Sequence, residues 1–208
     1  RWNKVVKFDM EEAKIEWFKG AKLNITKNCL DRHLNTRGDK TAIIWEPNNP
    51  EEEAQHITYK DLHERVCKMA NVLTELGIKK GDRVCIYLPM IPELAVTMVA
   101  CARRGAVQSV IFAGFSASAV ASRVTDCEAK MIITSDGSYR GNKAIDLKGI
   151  IDEAVEKCPT VEKVLVVKRT NTEIKIKEGR DFLLDDYYPK ASTDFVTKIM
   201  DAEDPLFI

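Results

Sequence analysis

The first regular pattern of hydrophobic and polar positions along the chain has the period of an α-helix. One apolar series, spaced by three and four residues, comprises Leu62, Val66, Met69, Leu73 and Leu76. This spacing predicts a helix that begins near Tyr59 with one face buried. Thr58 followed by Asp61 resembles a capping box, and Gly77 is suited to end the helix.

Beyond this helix, short apolar runs alternate with further helical segments. The runs that predict buried strands are Arg83–Leu88, Val107–Phe112, Lys130–Thr134 and Val164–Val167. The segments that predict helices are Pro92–Arg104, Ser116–Val124 and Leu147–Lys157. Strands that alternate with helices require crossover connections, so the chain is predicted to be an α/β protein with a mostly parallel sheet and helices on both faces.

The two ends of the chain are patterned less regularly. Residues 1–40 are predicted to form an N-terminal arm packed on the domain, and residues 41–208 an α/β subdomain. Thr41–Trp45 and His56–Tyr59 predict a hairpin, and the apolar run Leu206–Ile208 is expected to begin another strand. Three large aromatic residues are predicted to be core anchors, namely Trp17, Phe18 and Trp45.

Composition narrows the class of protein. Of 208 residues, 45% are hydrophobic and 31% are charged, which excludes a disordered or low-complexity chain. Lys plus Arg and Asp plus Glu number 32 each, so no overall charge favours nucleic acid or an anionic membrane as a partner. The apolar stretches are far shorter than the ~20 residues of a membrane span. The six cysteines form no C-x-x-C pair, which favours reduced core thiols and a cytoplasmic location.

Two predicted loops are candidates for binding chemistry. They are Phe112–Ser116 and Thr134–Lys143, and each follows a predicted strand. Because the carboxyl ends of parallel strands meet at one edge of a sheet, we expect the two loops to be neighbours there. Gly114 permits a close backbone approach, and Phe112 is suited to cover a base.

The second loop carries the charge of this candidate site. Arg140 and Lys143 surround Gly141, which brings two cations and free amides together in a way suited to a phosphate. The alternative at this stage is a solvated, glycine-rich surface turn. The sequence contains no recognised hydrolase, kinase, P-loop or zinc motif, so no catalytic residue or metal ligand is predicted.

Several longer motifs carry a family resemblance. Asn28-Cys29-Leu30-Asp31-Arg32-His33-Leu34, Gly77-Ile78-Lys79-Lys80-Gly81-Asp82 and Ala102-Arg103-Arg104-Gly105-Ala106-Val107 resemble, in order, segments of the AMP-forming acetyl-CoA synthetases. Glu203-Asp204-Pro205-Leu206-Phe207-Ile208 is similar to the last residues before the nucleotide phosphate loop of that family. The resemblance extends over nearly all of the chain. It implies the first subdomain of the large N-terminal domain of an adenylate-forming enzyme.

The resemblance also implies an activity for the full-length enzyme. Acetate and MgATP would form acetyl-adenylate and pyrophosphate, and the thiol of coenzyme A would then displace AMP. The phosphate loop, the acetate pocket and the catalytic lysine of the family all come after the segment matching Ile208. The 208 residues are therefore expected to need the remainder of the same chain as partner, to hold little of the ATP and Mg²⁺ sites, and to be inactive alone.

The family's coenzyme A site maps onto the two loops. The resemblance implies that Phe112, Ala113 and Gly114 lie beside the nucleotide of coenzyme A. It implies that Arg140, Gly141, Asn142 and Lys143 contact the 3′-phosphate and that Ile145 borders the adenine. Ala113 stands where the family commonly has glycine, and Asn142 where a small residue is frequent. Two alternatives stay open, a non-catalytic α/β nucleotide-binding module and a ligase for propionate or another short acid.

Overall fold

A computed structural model describes residues 2–141 and 143–208. The strands are β1 Lys4–Asp9, β2 Lys14–Lys19, β3 Lys22–Leu23, β4 Thr41–Trp45, β5 Gln55–Thr58, β6 Arg83–Tyr87, β7 Val107–Val110, β8 Met131–Ser135, β9 Gly137–Arg140, β10 Lys143–Asp146, β11 Lys163–Val167, β12 Asp181–Leu183 and β13 Met200–Asp201. The helices are α1 Ile25–Cys29, α2 Leu34–Arg37, α3 Tyr59–Glu75, α4 Pro92–Arg104, α5 Ala117–Asp126, α6 Leu147–Val155 and α7 Leu184–Tyr187.

A five-stranded parallel sheet forms the centre of the fold. Its strand order is β12-β11-β8-β6-β7, and every neighbouring pair is parallel. The central strands β6, β8 and β11 are mostly apolar and almost entirely buried because helices cover both of their faces. Beyond β7, Phe207 forms a parallel bridge to Gln108, and the Ile208 amide donates to the Gln108 carbonyl at 2.9 Å. The run Leu206–Ile208 is thus extended against the sheet, as predicted.

Two helical layers bury the sheet from opposite sides. On one face, Val66 and Met69 of α3 and Val96 of α4 pack with Ile133 in one core cluster. On the other face, α5 and α6 pack in a second cluster, with Val120 and Ile151 against Ile132 and Val164 of the sheet. The predicted α/β class, with a parallel sheet between helices, is confirmed.

The helix ends follow the local signals in the sequence. The Thr58 hydroxyl accepts from the Asp61 amide at 3.1 Å, and the Asp61 carboxylate accepts from the Thr58 amide at 3.2 Å. This reciprocal capping box begins α3 as predicted. Pro92 occupies the first turn of α4, and Gly105 ends that helix at φ +78°.

The N-terminal residues depart from the predicted irregular segment. β1 and β2 form an antiparallel hairpin in which Val6 pairs with Trp17. Trp17 is 56% exposed and Phe18 is 43% exposed, so the prediction that they are core anchors is wrong. A two-stranded ribbon has no neighbouring strand, and its side chains contact the main core only if the ribbon lies on it. Trp45, by contrast, is half-buried and packs against the core.

The segment after the hairpin contacts the domain closely. The side-chain amide of the buried residue Asn24 donates to the backbone carbonyls of Ala102 at 2.7 Å and Lys198 at 2.8 Å. Arg103, itself buried, donates to the Asp31 carboxylate at 2.6 Å. The division into an arm of residues 1–40 and a subdomain of residues 41–208 stays a prediction. Among residues 2–141 and 143–208, no helix has the length and apolar character needed to cross a membrane.

Candidate functional site

A cavity of about 750 Å³ opens at the carboxyl edge of the parallel sheet. Residues that follow four strands contribute to its wall: Met90 after β6, Phe112 after β7, Arg140 at the end of β9 beyond β8, and Arg169 after β11. Trp45, at the end of β4, closes one side. Loops at this edge are the usual ligand-binding position of open parallel sheets.

The turn after β7 supplies the first predicted part of the site. Phe112, Ala113 and Gly114 all line the cavity. Phe112 is 71% exposed and meets Phe115 edge to face, with ring centroids 5.7 Å apart. A Cβ at Gly114 would collide with the Phe112 ring, so glycine lets this aromatic side chain fold over the turn.

Beneath this turn, a buried tyrosine fixes its backbone. The Tyr87 hydroxyl donates to the Phe115 carbonyl at 2.7 Å. Burial raises the pKa of Tyr87, which keeps the hydroxyl protonated as a donor. The Ser116 hydroxyl accepts from the Ala119 amide and begins α5.

The second predicted part of the site is a hairpin rather than a loop. Residues predicted as the loop Thr134–Lys143 include the end of β8, all of β9 and the first residue of β10. Arg140 and Lys143 are cross-strand partners next to the turn, and Gly141 lies between them at φ +59°. Glycine at a positive φ is typical of a β-hairpin turn, which is why the chain reverses here.

The cavity wall includes some of the predicted residues of this hairpin and not others. Arg140 and Ile145 line it, whereas Gly141 and Lys143 are exposed beside it. The Gly141 carbonyl accepts from the Asn48 side chain at 3.0 Å, which ties the turn to the β4–β5 connection. Asn142 lies outside the described residues. Arg140 and Gly114 therefore share one cavity, as expected for two loops at one sheet edge.

A buried carboxylate within the predicted loop Thr134–Lys143 organises this edge, a role that the sequence did not indicate. Asp136 is 1% exposed and follows β8 directly. Its oxygens accept from the backbone amides of Gly137 at 2.8 Å, Arg169 at 2.7 Å, Thr170 at 3.1 Å and Thr172 at 3.2 Å. One side chain thus joins the connection after β8 to the connection after β11.

Two further cavity residues, Arg169 and Trp45, were also absent from the binding candidates that the sequence offered. The Arg169 guanidinium lies over the Trp45 ring at 5.1 Å and over the Tyr139 ring at 5.2 Å from the centroids. The signal that identifies Arg169 is its position two residues after an apolar strand, in a connection of the same kind as the first two loops. Trp45 is held by a 2.8 Å hydrogen bond from its indole N–H to the Met90 carbonyl.

The described residues offer no ligand set for a divalent cation. Within residues 2–141 and 143–208, no group of three or more His, Cys, Asp or Glu side chains could hold a metal ion. The cavity wall itself contains one carboxylate residue, Glu46, against the cations Arg140 and Arg169. These residues do not fit Mg²⁺, and the chemistry they favour is the binding of an anion.

The same α/β fold occurs in a solved acyl-CoA synthetase. The acetoacetyl-CoA synthetase from Streptomyces lividans superposes with a TM-score of 0.87 at 27% sequence identity, over 99% of this chain and 31% of that one. Residues 30–208 match the AMP-binding enzyme family. The chain belongs to this family.

Sequence relatives agree with this assignment. The chain is 52% identical over 208 residues to the acetyl-coenzyme A synthetase of Alkalilimnicola ehrlichii and 51% identical to that of Halorhodospira halophila. It is 50% identical over 207 residues to acetyl-coenzyme A synthetase 2 of Pseudomonas aeruginosa. All of this chain is covered in each case, and it spans 32% of the length of each relative. The predicted resemblance to the acetyl-CoA synthetases is confirmed.

Proposed function

We propose that this chain is part of an AMP-forming acetate–CoA ligase and supplies part of its coenzyme A site. The ligase would form acetyl-adenylate from acetate and MgATP, and coenzyme A would displace AMP. We propose acetate rather than propionate as the substrate because the relatives are acetyl-coenzyme A synthetases. The cytoplasmic location is part of the proposal and is supported by six free cysteines.

One observation carries the assignment of the coenzyme A site. Gly114 and Arg140 come from separate strand connections, and both line the cavity at the carboxyl edge of the sheet. In the proposed complex, Phe112 covers the adenine and Ala113 and Gly114 give its nucleotide close access to the backbone. Ile145 borders the adenine from the hairpin side.

The hairpin residues are proposed to hold the 3′-phosphate. Arg140 would donate charge-assisted hydrogen bonds to it, and Lys143, its cross-strand partner, would add a second positive charge. The positive φ of Gly141 keeps the turn tight, so that the two cations stay adjacent. Asn142 belongs to this proposed set through the family resemblance alone. These residues bind and orient; the adenylation step and its Mg²⁺ are proposed to depend on other parts of the enzyme.

The test compares coenzyme A with its dephospho form by calorimetry on the 208-residue chain. We expect coenzyme A to bind more tightly, and we expect Arg140→Gln to lower its affinity about tenfold, the usual value of a hydrogen bond between charged groups. Dephospho-coenzyme A should bind the unsubstituted chain and the Arg140→Gln variant with the same affinity. Lys190→Gln, which changes an exposed cation outside the cavity wall, is the matched control.

The same measurement identifies failure of the proposal. Equal affinity of the unsubstituted chain for the two cofactors would mean that the site does not read the 3′-phosphate. A loss for Lys190→Gln as large as that for Arg140→Gln would mean that only the general charge of the protein matters.

A further inference from the structure

Arg169 has an environment that differs from that of the other cations at the cavity. Its guanidinium lies over two aromatic rings, those of Trp45 and Tyr139, at 5.1 and 5.2 Å from the ring centroids. All three residues line the same cavity as Arg140. The faces of both rings attract the positive charge of the guanidinium.

The backbone of Arg169 is fixed as well as its side chain. Its amide donates to the buried Asp136 carboxylate at 2.7 Å, and the next amide, that of Thr170, donates to the same carboxylate. The residue is therefore positioned at the sheet edge by three independent restraints, which are one backbone anchor and two rings. Such restraint lowers the side-chain entropy that a bound ligand would otherwise have to remove.

The charge of Arg169 is not matched by a carboxylate in the described structure. No ion pair within 4.0 Å among residues 2–141 and 143–208 involves its guanidinium. A guanidinium carries five N–H donors, and its attraction to ring faces does not occupy all of them, so donors remain to bond an anion. An ammonium group lacks the planar fork of donors, so a lysine in this position would replace the arginine only in part.

We propose that Arg169 is a further phosphate-binding residue of this site and acts together with Arg140 on the 3′-phosphate of coenzyme A. The inference rests on the proposed function, because it names one more specificity-determining side chain of the same site. Trp45 and Tyr139 are positioning residues that hold the guanidinium in place. The ligand chemistry is that of a phosphate monoester, a dianion that two arginines bind better than one.

The experiment measures the affinities of the 208-residue chain for coenzyme A and dephospho-coenzyme A by calorimetry at several salt concentrations. We expect Arg169→Gln to lower the affinity for coenzyme A about tenfold and to change the affinity for dephospho-coenzyme A less than about twofold. The salt dependence of coenzyme A binding should also decrease. Arg169→Lys should recover part of the affinity because it keeps the charge. Both variants should show an unchanged unfolding midpoint in denaturant.

Arg123→Gln is the matched control. Arg123 also lies over an aromatic ring, that of Phe115 at 4.4 Å, but it is outside the cavity wall. Its substitution should leave both affinities unchanged. A general effect of losing one stacked arginine would instead appear in both variants, and this result would overturn the inference.

Other outcomes separate this inference from the proposed function. If the unsubstituted chain prefers coenzyme A and Arg169→Gln keeps the full preference, Arg169 does not bind the phosphate and only this inference fails. An equal loss of affinity for the two cofactors would also overturn the inference, because Arg169 would then contact a part of the molecule that both cofactors have. If the unsubstituted chain binds the two cofactors equally, the proposed function fails and the inference fails with it.

Discussion

At the scale of single residues, His63 shows how burial and charge determine a titration. Its Nε2 lies 3.2 Å from a terminal nitrogen of Arg103 and 3.7 Å from the Asp31 carboxylate. Burial first, and then the charge of Arg103, lower the pKa of His63, whereas Asp31, Glu64 and Asp194 act in the opposite direction. The folded protein therefore favours the neutral imidazole.

A pH dependence of stability follows from this lowered pKa. In the unfolded chain His63 takes up a proton near its ordinary pKa of about 6.5, while the folded chain resists protonation until a lower pH. The stabilisation is thus present above pH ~6.5 and is lost as the pH falls through the folded pKa. We expect the free energy of unfolding to fall between pH 7.5 and 5.5, and His63→Gln to reduce this decrease.

The measurement is denaturant unfolding at both pH values. His56→Gln is the control, because His56 is exposed on β5. If His63→Gln retains the full decrease while its fold is intact, another group is responsible for the pH dependence.

Residue by residue, the site was predictable where the signal is local. Gly114 and Arg140 each follow an apolar strand, and the position alone placed them at one edge. The Asp136 carboxylate accepts hydrogen bonds from amides more than thirty residues later in the chain. A local sequence pattern cannot predict such a distant partner. The core positions assigned to Trp17 and Phe18 were wrong because large aromatic residues are usually buried, whereas here they belong to an exposed ribbon.

At the scale of elements, the end of helix α4 depends on one glycine, which lets the helix terminate in contact with a distant segment. Gly105 has φ +78°, and a Cβ there would lie 2.8 Å from the Met200 sulfur. Met200 belongs to β13, which pairs with β3, so this helix end contacts a distant segment. Both the backbone angle and the close contact favour glycine.

We expect Gly105→Ala to destabilise the protein by more than Gly179→Ala. Gly179 has nearly the same angle, φ +79°, but open space around its Cβ position. Its substitution should cost about 1 kcal/mol from the left-handed backbone alone. The additional loss at Gly105 measures the displacement of Met200 and is read from the denaturant midpoints of the two variants. Equal losses would show that Met200 moves aside freely.

Elements were predicted correctly where their pattern is long, and less well where it is short. The capping box and apolar series defined α3 almost to the residue. The hairpin β9–β10 was interpreted as a loop, because four-residue strands contain too few alternating positions to distinguish them from an irregular connection. In the sequence, the Gly-Asn pair at positions 141 and 142 was a local sign of it.

At the scale of the whole molecule, the chain spans about a third of the length of its relatives. The described residues provide a cavity with arginines and aromatic side chains, and no ligand set for a divalent cation. Departure of pyrophosphate develops negative charge that adenylate-forming catalysis must stabilise. The necessary groups are therefore proposed to belong to the remainder of the enzyme.

We expect the purified 208-residue chain to show no acetate-dependent exchange of pyrophosphate into ATP. The matched comparison is a longer protein in which this chain is joined to the remainder of its ligase, assayed under the same conditions. Exchange by the short chain above the background without acetate would contradict this expectation and would assign adenylation to residues described above.

The single carboxylate of Asp136, which bonds amides of two strand connections, has a consequence for how affinity is acquired. Because the backbone on either side of Arg169 is immobilised when the protein folds, the entropy of ordering that segment is lost before any cofactor arrives. Mutations that loosen this junction should then weaken both the native state and the proposed cofactor complex, so tight binding in that proposal requires a rigid sheet edge.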